Sequence, residues 1–251
     1  MTRVFLDDAQ ISGDTARVTG SDAHHLLNVL RVGLGDTFTI VDERGAEREA
    51  TVTEAREHSL SARRGEARRT PAEPRLKLTL YHGLPRASRY ETALRMCTEL
   101  GVSGFVPVLS AKSVVRLSGG ALNRKQERWQ RIVEEAAKQC GRTQIPEVVL
   151  PMAWGDALRH FRASKAPGVM PSAGLAGSDA PSLGESAAGL PDDTDALALF
   201  IGPESGFDLA EESTARDAGV TLVTMGPRIL RTETAAVVAA AICLDRAEEL
   251  S

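Results

Sequence analysis

Cysteine is scarce in this chain. There are three, Cys97, Cys140 and Cys243, an odd number and widely spaced. A disulfide framework or a clustered zinc site is therefore not expected, and buried reduced thiols in a cytoplasmic protein are. No apolar run reaches the roughly 20 residues of a membrane helix. The start, from Met1-Thr2-Arg3 to Asp7-Asp8, has no apolar stretch of the kind a signal peptide carries. No GxGxxG and no P-loop pattern occurs, so neither nucleotide fingerprint is available. The formal net charge of −4 gives no global sign of nucleic-acid binding. Metal is not expected either. His24 and His25 are adjacent, point about 100° apart on a helix, and make a poor ligand pair.

What is present divides in two. The 251 residues suit one or two domains. Residues 1–72 read as a β-rich unit. Its short strands are Val4–Leu6, Ala16–Val18, Thr37–Val41, Glu49–Thr53 and Ser59–Ala62, with one short helix over Ala23–Leu30 capped by Ser21-Asp22. A charged, proline-bearing linker is expected from Arg63 to Pro74. Residues 73–251 alternate strand and helix, which implies a parallel sheet with helices on both faces. Strand Phe105–Leu109 contains Pro107, which argues for an edge or a bulge. Residues 165–195 are rich in Gly, Ala, Ser and Pro and read as a flexible insert without structure of its own.

Charge is uneven within the second part. From Lys112 to Arg142 there are eight basic side chains, Arg116, Arg128 and Arg142 among them, against Glu127, Glu134 and Glu135. The excess of five suits a phosphate backbone. It suits equally a solvated helix face with the pairs Glu127–Arg131 and Glu134–Lys138.

Two loops carry the chemistry. In one, the strand Asp195–Ile201 runs into Gly202-Pro203-Glu204-Ser205-Gly206-Phe207, and Asp208 with Glu211 resembles a capping box opening a helix that ends at Gly219. In the other, the strand Val220–Thr224 runs into Met225-Gly226-Pro227-Arg228-Ile229-Leu230-Arg231. Thr232 suits an N-cap there, Glu233 suits the first turn, and the helix that follows is apolar enough to be buried all round. Two such loops after adjacent strands make a pocket of backbone amides and carbonyls, at the strand ends where open α/β sheets bind ligands. Ordinary βα turns would read the same way.

The run Ile201–Phe207, paired with Met225–Ala235, resembles the signature of the RsmE family, 16S ribosomal RNA uridine-N3 methyltransferases of the SPOUT superfamily. The family usually has Gly where this chain has Ser205, and Leu where it has Met225. Further likeness lies in His25…Leu30-Arg31…Gly35-Asp36, in Thr98–Val102, in Pro107 and Ser113-Val114-Val115, and from Glu134 through Arg142 to Pro146.

The resemblance implies an α/β fold: a SPOUT-type parallel sheet with a deep C-terminal trefoil knot over about 196–245, plus a small N-terminal PUA-like β-barrel that contacts RNA. It implies S-adenosylmethionine as methyl donor, cradled by Ile201, Gly202, Pro203, Gly206, Met225, Gly226, Ile229, Leu230, Thr232, Thr234 and Ala235. It implies a homodimer acting on 16S ribosomal RNA, within the small ribosomal subunit. His25, Arg31, Arg86, Arg128 and Arg142 are the candidate RNA contacts. Arg86 stands where the family tends to have Lys. The acceptor N3 must lose its proton; Arg231, with Glu233 or Glu204 as acceptor, is the candidate catalytic set. The alternatives are ribose 2′-O-methylation within the same superfamily and RNA binding without catalysis.

Overall fold

The computed structural model of the protein describes residues 2–68, 73–113 and 120–247. Arg69–Ala72 of the expected linker, and Val114, Val115 and Arg116, lie outside the described residues. The chain clusters into two compact units, residues 1–73 with 137–144, and residues 74–136 with 145–251.

The first unit is a six-stranded sheet in the order β1-β4-β5-β6-β3-β2. Its strands are β1 (Arg3–Leu6), β2 (Ile11–Ser12), β3 (Thr15–Thr19), β4 (Thr37–Asp42), β5 (Glu47–Arg56) and β6 (Ser59–Arg68). Alternation places Val4, Leu6, Ala16, Val18, Phe38, Ile40, Ala50, Val52, Leu60 and Ala62 on one buried face. Helix α1 (Gly20–His24) follows β3 and continues as a π-helical turn over His25–Val29. Its N-cap is Thr19 and not Ser21-Asp22. The expected linker begins later than the charge pattern indicated, because Arg63–Arg68 belong to β6 and pair with β5. Arg142 is buried and grips Glu73: its Nη2 donates to Oε2 at 2.8 Å, while Glu73 Oε1 accepts from the backbone of Thr143 and Gln144. This corrects Arg142 as an RNA contact, since its guanidinium is spent inside the unit.

The second unit holds an all-parallel sheet, ordered β10-β8-β7-β12-β11-β13 with β9 also on β8. Its elements are β7 (Lys77–Gly83), α2 (Ala87–Leu100), β8 (Gly104–Leu109), α3 (Gly120–Cys140), β9 (Glu147–Val148), β10 (Met152–Ala153), α4 (Trp154–Ser164), β11 (Gly168–Pro171), α5 (Leu183–Ala188), β12 (Ala196–Ile201), α6 (Leu209–Asp217), β13 (Val220–Val223) and α7 (Thr232–Arg246). The central strand β12, Ala-Leu-Ala-Leu-Phe-Ile, is apolar throughout, as a strand covered on both faces must be, while β7 beside it is mainly apolar but carries Lys77, Thr79 and His82. Leu78, Leu80, Leu197 and Leu199 pack with α2 and α7 on one side. Tyr81, Ala198 and Phe200 pack with Phe161 on the other.

Four expectations change here. Residues 165–195 are not structureless: they supply β11, which lies inside the sheet between β12 and β13, and α5 with its Ser182–Glu185 capping box. The strands before the two signature loops are consequently not adjacent. Pro107 sits in an interior strand, paired with His82 of β7. On the other side of β8 the ladder changes partner there, from β9 at Phe105 to β10 at Val108, which suits a residue without an N–H. Helix α7 is not buried all round: Ala236, Ala239, Ala240, Cys243 and Leu244 face the core, while Val238 is exposed.

On α3, Arg131 donates to the Glu127 backbone carbonyl, Lys138 pairs with Asp22, and Arg128 with Glu91.

Candidate functional site

The Gly202–Phe207 loop is shaped by contacts that only glycine allows. A Cβ on Gly202 would lie 2.9 Å from Gly206 Cα and from Phe207 N, and a Cβ on Gly83 would lie 2.5 Å from Pro203 Cδ. The loop's left-handed residue is Gly206, at φ 69°, so Ser205 is not asked to take a positive φ. The capping box at Asp208 forms as expected, with Asp208 Oδ1 accepting from Glu211 N at 2.7 Å. Glu211 is buried, and both its oxygens are used: one accepts from Asp208 N, the other from Ala111 N at 2.7 Å. Lys112 then donates to the carbonyls of Ser205 and Phe207. The loop is thus braced from the end of β8.

The second loop turns at Gly226, φ 90°, with Gly226 N donating to Thr224 Oγ1. Arg231, not Thr232, is the N-cap of α7. Thr232 is instead the first helical residue, and its hydroxyl is turned inward. It donates to the Gly202 carbonyl at 2.6 Å and lies 2.8 Å from His82 Nε2. This contact joins the two glycine bends.

Around the junction lies a cavity of about 290 Å³, lined by Ile201, Gly202, Pro203, Glu204, Ser205, Gly206, Met225, Gly226, Arg228, Ile229, Leu230, Thr232 and Ala235. Its third wall is Pro171, the last residue of β11, with Ser172, Ala173 and Ala176 just beyond it. Ser172 is buried; its hydroxyl donates to Glu212 at 2.6 Å and accepts from Gly174 N. The volume is near the lower end for small-molecule sites, about 300–1,000 Å³. The lining combines apolar side chains with backbone polar groups and the side chains of Glu204, Ser205, Arg228 and Thr232. A larger cavity of about 440 Å³ lies among Arg75, Asp192 and Arg246, but neither signature loop reaches it.

Most of the residues expected to cradle a cofactor are brought together here. Thr234 is the exception: it does not line the cavity and is exposed on the first turn of α7. Arg231 is exposed and also outside the lining. Glu204 accepts from Arg86 N at 3.0 Å, so Arg86 meets the site through its backbone while its side chain is exposed. Glu233 Oε2 is buried without a hydrogen-bond partner. Between the two carboxylates stands Arg89, 3.5 Å from Glu204 and 4.0 Å from Glu233. His25 is exposed on its π-helical turn, and Arg31 holds φ 56°, the left-handed region that non-glycine residues seldom adopt.

Sequence reading missed His82, Arg89 and Ser172. Nothing in the local pattern marks them: His82 reads as one polar residue at the end of an apolar strand, and its partner is 150 residues away. Burial draws the His82 pKa down to about 3, so the ring is neutral.

Two family models match the chain, an RNA methyltransferase domain over residues 72–244 and an RNA methyltransferase PUA domain over residues 18–63. The chain is 31% identical to ribosomal RNA small subunit methyltransferase E of Bacillus subtilis, over 88% of this chain and 86% of that protein. It is 33% identical to the protein of the same name from Synechocystis, over 95% of this chain and 76% of that one. Among solved structures it resembles ribosomal RNA small subunit methyltransferase E from Neisseria gonorrhoeae bound to S-adenosyl methionine, with TM-score 0.86 and 31% identity, covering 98% and 97% of the two chains.

Proposed function

This chain belongs to the ribosomal RNA small subunit methyltransferase E family, and we propose that it transfers a methyl group from S-adenosylmethionine to N3 of a uridine in 16S ribosomal RNA. The observation that carries the reading is the Thr232–Gly202 hydrogen bond, which brings the two signature loops around a single cavity. Ile201, Gly202, Pro203, Gly206, Met225, Gly226, Ile229, Leu230, Thr232 and Ala235 would hold the donor, with Thr234 supporting the first turn of α7. When bound, the donor supplies an activated sulfonium methyl, and the protein's task is alignment.

The rest of the site serves the acceptor. Arg231, exposed beside the mouth, supplies positive charge that favours a uracil anion. Glu233, with an unpaired carboxylate oxygen, or Glu204 accepts the N3 proton or a hydrogen bond from it. The base has to be presented unpaired, either single-stranded or flipped out.

The wider reading has residues 1–72 as a PUA-like RNA-contacting domain, with His25 and Arg31 toward the RNA, and residues 73–251 as the methyltransferase domain, knotted over about 196–245. Arg86 and Arg128 are further RNA contacts. A homodimer acting on the small ribosomal subunit in the cytoplasm completes it. Among the described residues no helix is long and apolar enough to cross a membrane.

Calorimetric titration with S-adenosylmethionine tests the donor site. Wild type is expected to bind, and Gly202→Val, whose side chain has no room against Gly206 and Phe207, to lose binding. Equal binding by both would remove the cavity from the reaction.

A further inference from the structure

We propose that His82 is a positioning residue for the donor pocket, acting through Thr232 to fix the spacing of the two glycine-bearing loops. The inference rests on the donor-site reading and adds to it a residue outside both signature loops.

The hydrogen-bond directions follow from chemistry. The Gly202 carbonyl can only accept, so the Thr232 hydroxyl spends its single hydrogen there, at 2.6 Å. At the 2.8 Å contact with His82 the hydroxyl oxygen must then accept, and His82 Nε2 must donate. This assigns the tautomer: the proton sits on Nε2 and the lone pair on Nδ1. Burial keeps the ring neutral, and only a neutral ring has a single tautomer to choose.

The arrangement has a cost. His82 Nδ1 is fully buried without a hydrogen-bond partner, and so is the hydroxyl of Tyr90 on α2, whose ring centroid is 5.4 Å from the imidazole. Tyr90 is in turn held edge-on by Trp129 at 4.7 Å. An apolar side chain in place of His82 would avoid an unsatisfied acceptor in the core. The return on that cost is the bond to Thr232. Thr232 and Gly202 both line the cavity, and Gly202 is packed too closely for a Cβ, so a shift of the hydroxyl passes directly to the backbone of both walls. His82 itself is anchored in β7, paired with Ile201 of β12 and with Pro107 of β8, which makes it a fixed reference for the two loops.

Four variants and one spectrum test this. His82→Leu is expected to weaken S-adenosylmethionine binding about tenfold by calorimetry, without a lower melting temperature. His82→Gln, whose amide N–H can reach the same hydroxyl, recovers most of the loss. Thr232→Val removes this bond together with the one to Gly202, and loses at least as much as His82→Leu; the double variant loses no more than Thr232→Val alone, because the His82 contact is already gone in it. In turnover the loss appears in KM for the donor more than in kcat. In histidine-labelled wild type, nitrogen NMR shows His82 with Nε2 protonated and Nδ1 bare across pH values of about 5 to 8. Wild-type affinity in His82→Leu, no recovery in His82→Gln, or a proton on Nδ1 overturns the proposal. Wild type that binds no S-adenosylmethionine overturns the donor-site reading and the role built on it, whereas the NMR spectrum tests the hydrogen-bond chain apart from any cofactor.

Discussion

Arg89 Nη1 lies 3.5 Å from Glu204 Oε1, and the same guanidinium stands 4.0 Å from Glu233. The two carboxylates come from different loops, and α2 carries the cation between them. Arg89→Ala is expected to lower kcat for methyl transfer at least about tenfold, since it leaves two carboxylates near one another without the shared cation. Donor affinity should change by less than about threefold, because Arg89 does not line the cavity. Steady-state assays at saturating donor decide this; an unchanged kcat would take Arg89 out of the acceptor side.

The loop after β12 makes a sharper contrast. Its positive φ belongs to Gly206 and not to Ser205. Gly206→Ala should destabilise the loop by about 1–2 kcal/mol, the cost of a left-handed conformation with a Cβ, and weaken donor binding about tenfold. Ser205→Gly, which restores the residue usual in the family, should change little. Similar affinities for Gly206→Ala and wild type would mean the loop rearranges on binding.

The legible parts of this chain are those whose meaning is local. The glycine bends, a capping box at Asp208 and Glu211, and the expected strands of the two units are read from neighbours in sequence, and the structure has a turn, a cap or a strand at each, the strands with shifted ends. The illegible parts depend on distant partners. β11 is four residues, Gly168–Pro171, and becomes a strand only because β12 and β13 flank it. Arg142 looked like one more surface cation because its partner Glu73 is 69 residues away. Thr232 fits an N-cap by residue type, yet its hydroxyl is taken by Gly202, 30 residues away.

The Arg142–Glu73 pair is a stability element of the first unit. Arg142 is 4% exposed at the side chain and Glu73 13%, so removing one partner strands a buried charge. Glu73→Ala should cost about 3 kcal/mol of stability, read by urea unfolding. A loss below about 1 kcal/mol would show the pair to be as weak as a surface bridge.

Acid should find His82. Its native pKa is about 3, against 6.5 for an ordinary histidine. Between those values the unfolded chain binds a proton that the native protein does not, so stability rises with pH and falls as the solution is acidified from about 6.5 toward 3. By pH 4 this one group should remove stability on the order of 3 kcal/mol. His82→Gln should flatten that part of the curve, measured as the difference between urea midpoints of the two proteins from pH 7 to about 4. Parallel curves would contradict a neutral, buried imidazole.

The most direct measurement is the identity of the methylated product. Small ribosomal subunits lacking the modification are incubated with the protein and S-adenosylmethionine carrying a labelled methyl, and the 16S ribosomal RNA is digested to nucleosides. The account predicts label in 3-methyluridine, and its loss with Gly202→Val. Label in a ribose 2′-O-methyl nucleoside, or no label with donor bound, would contradict it.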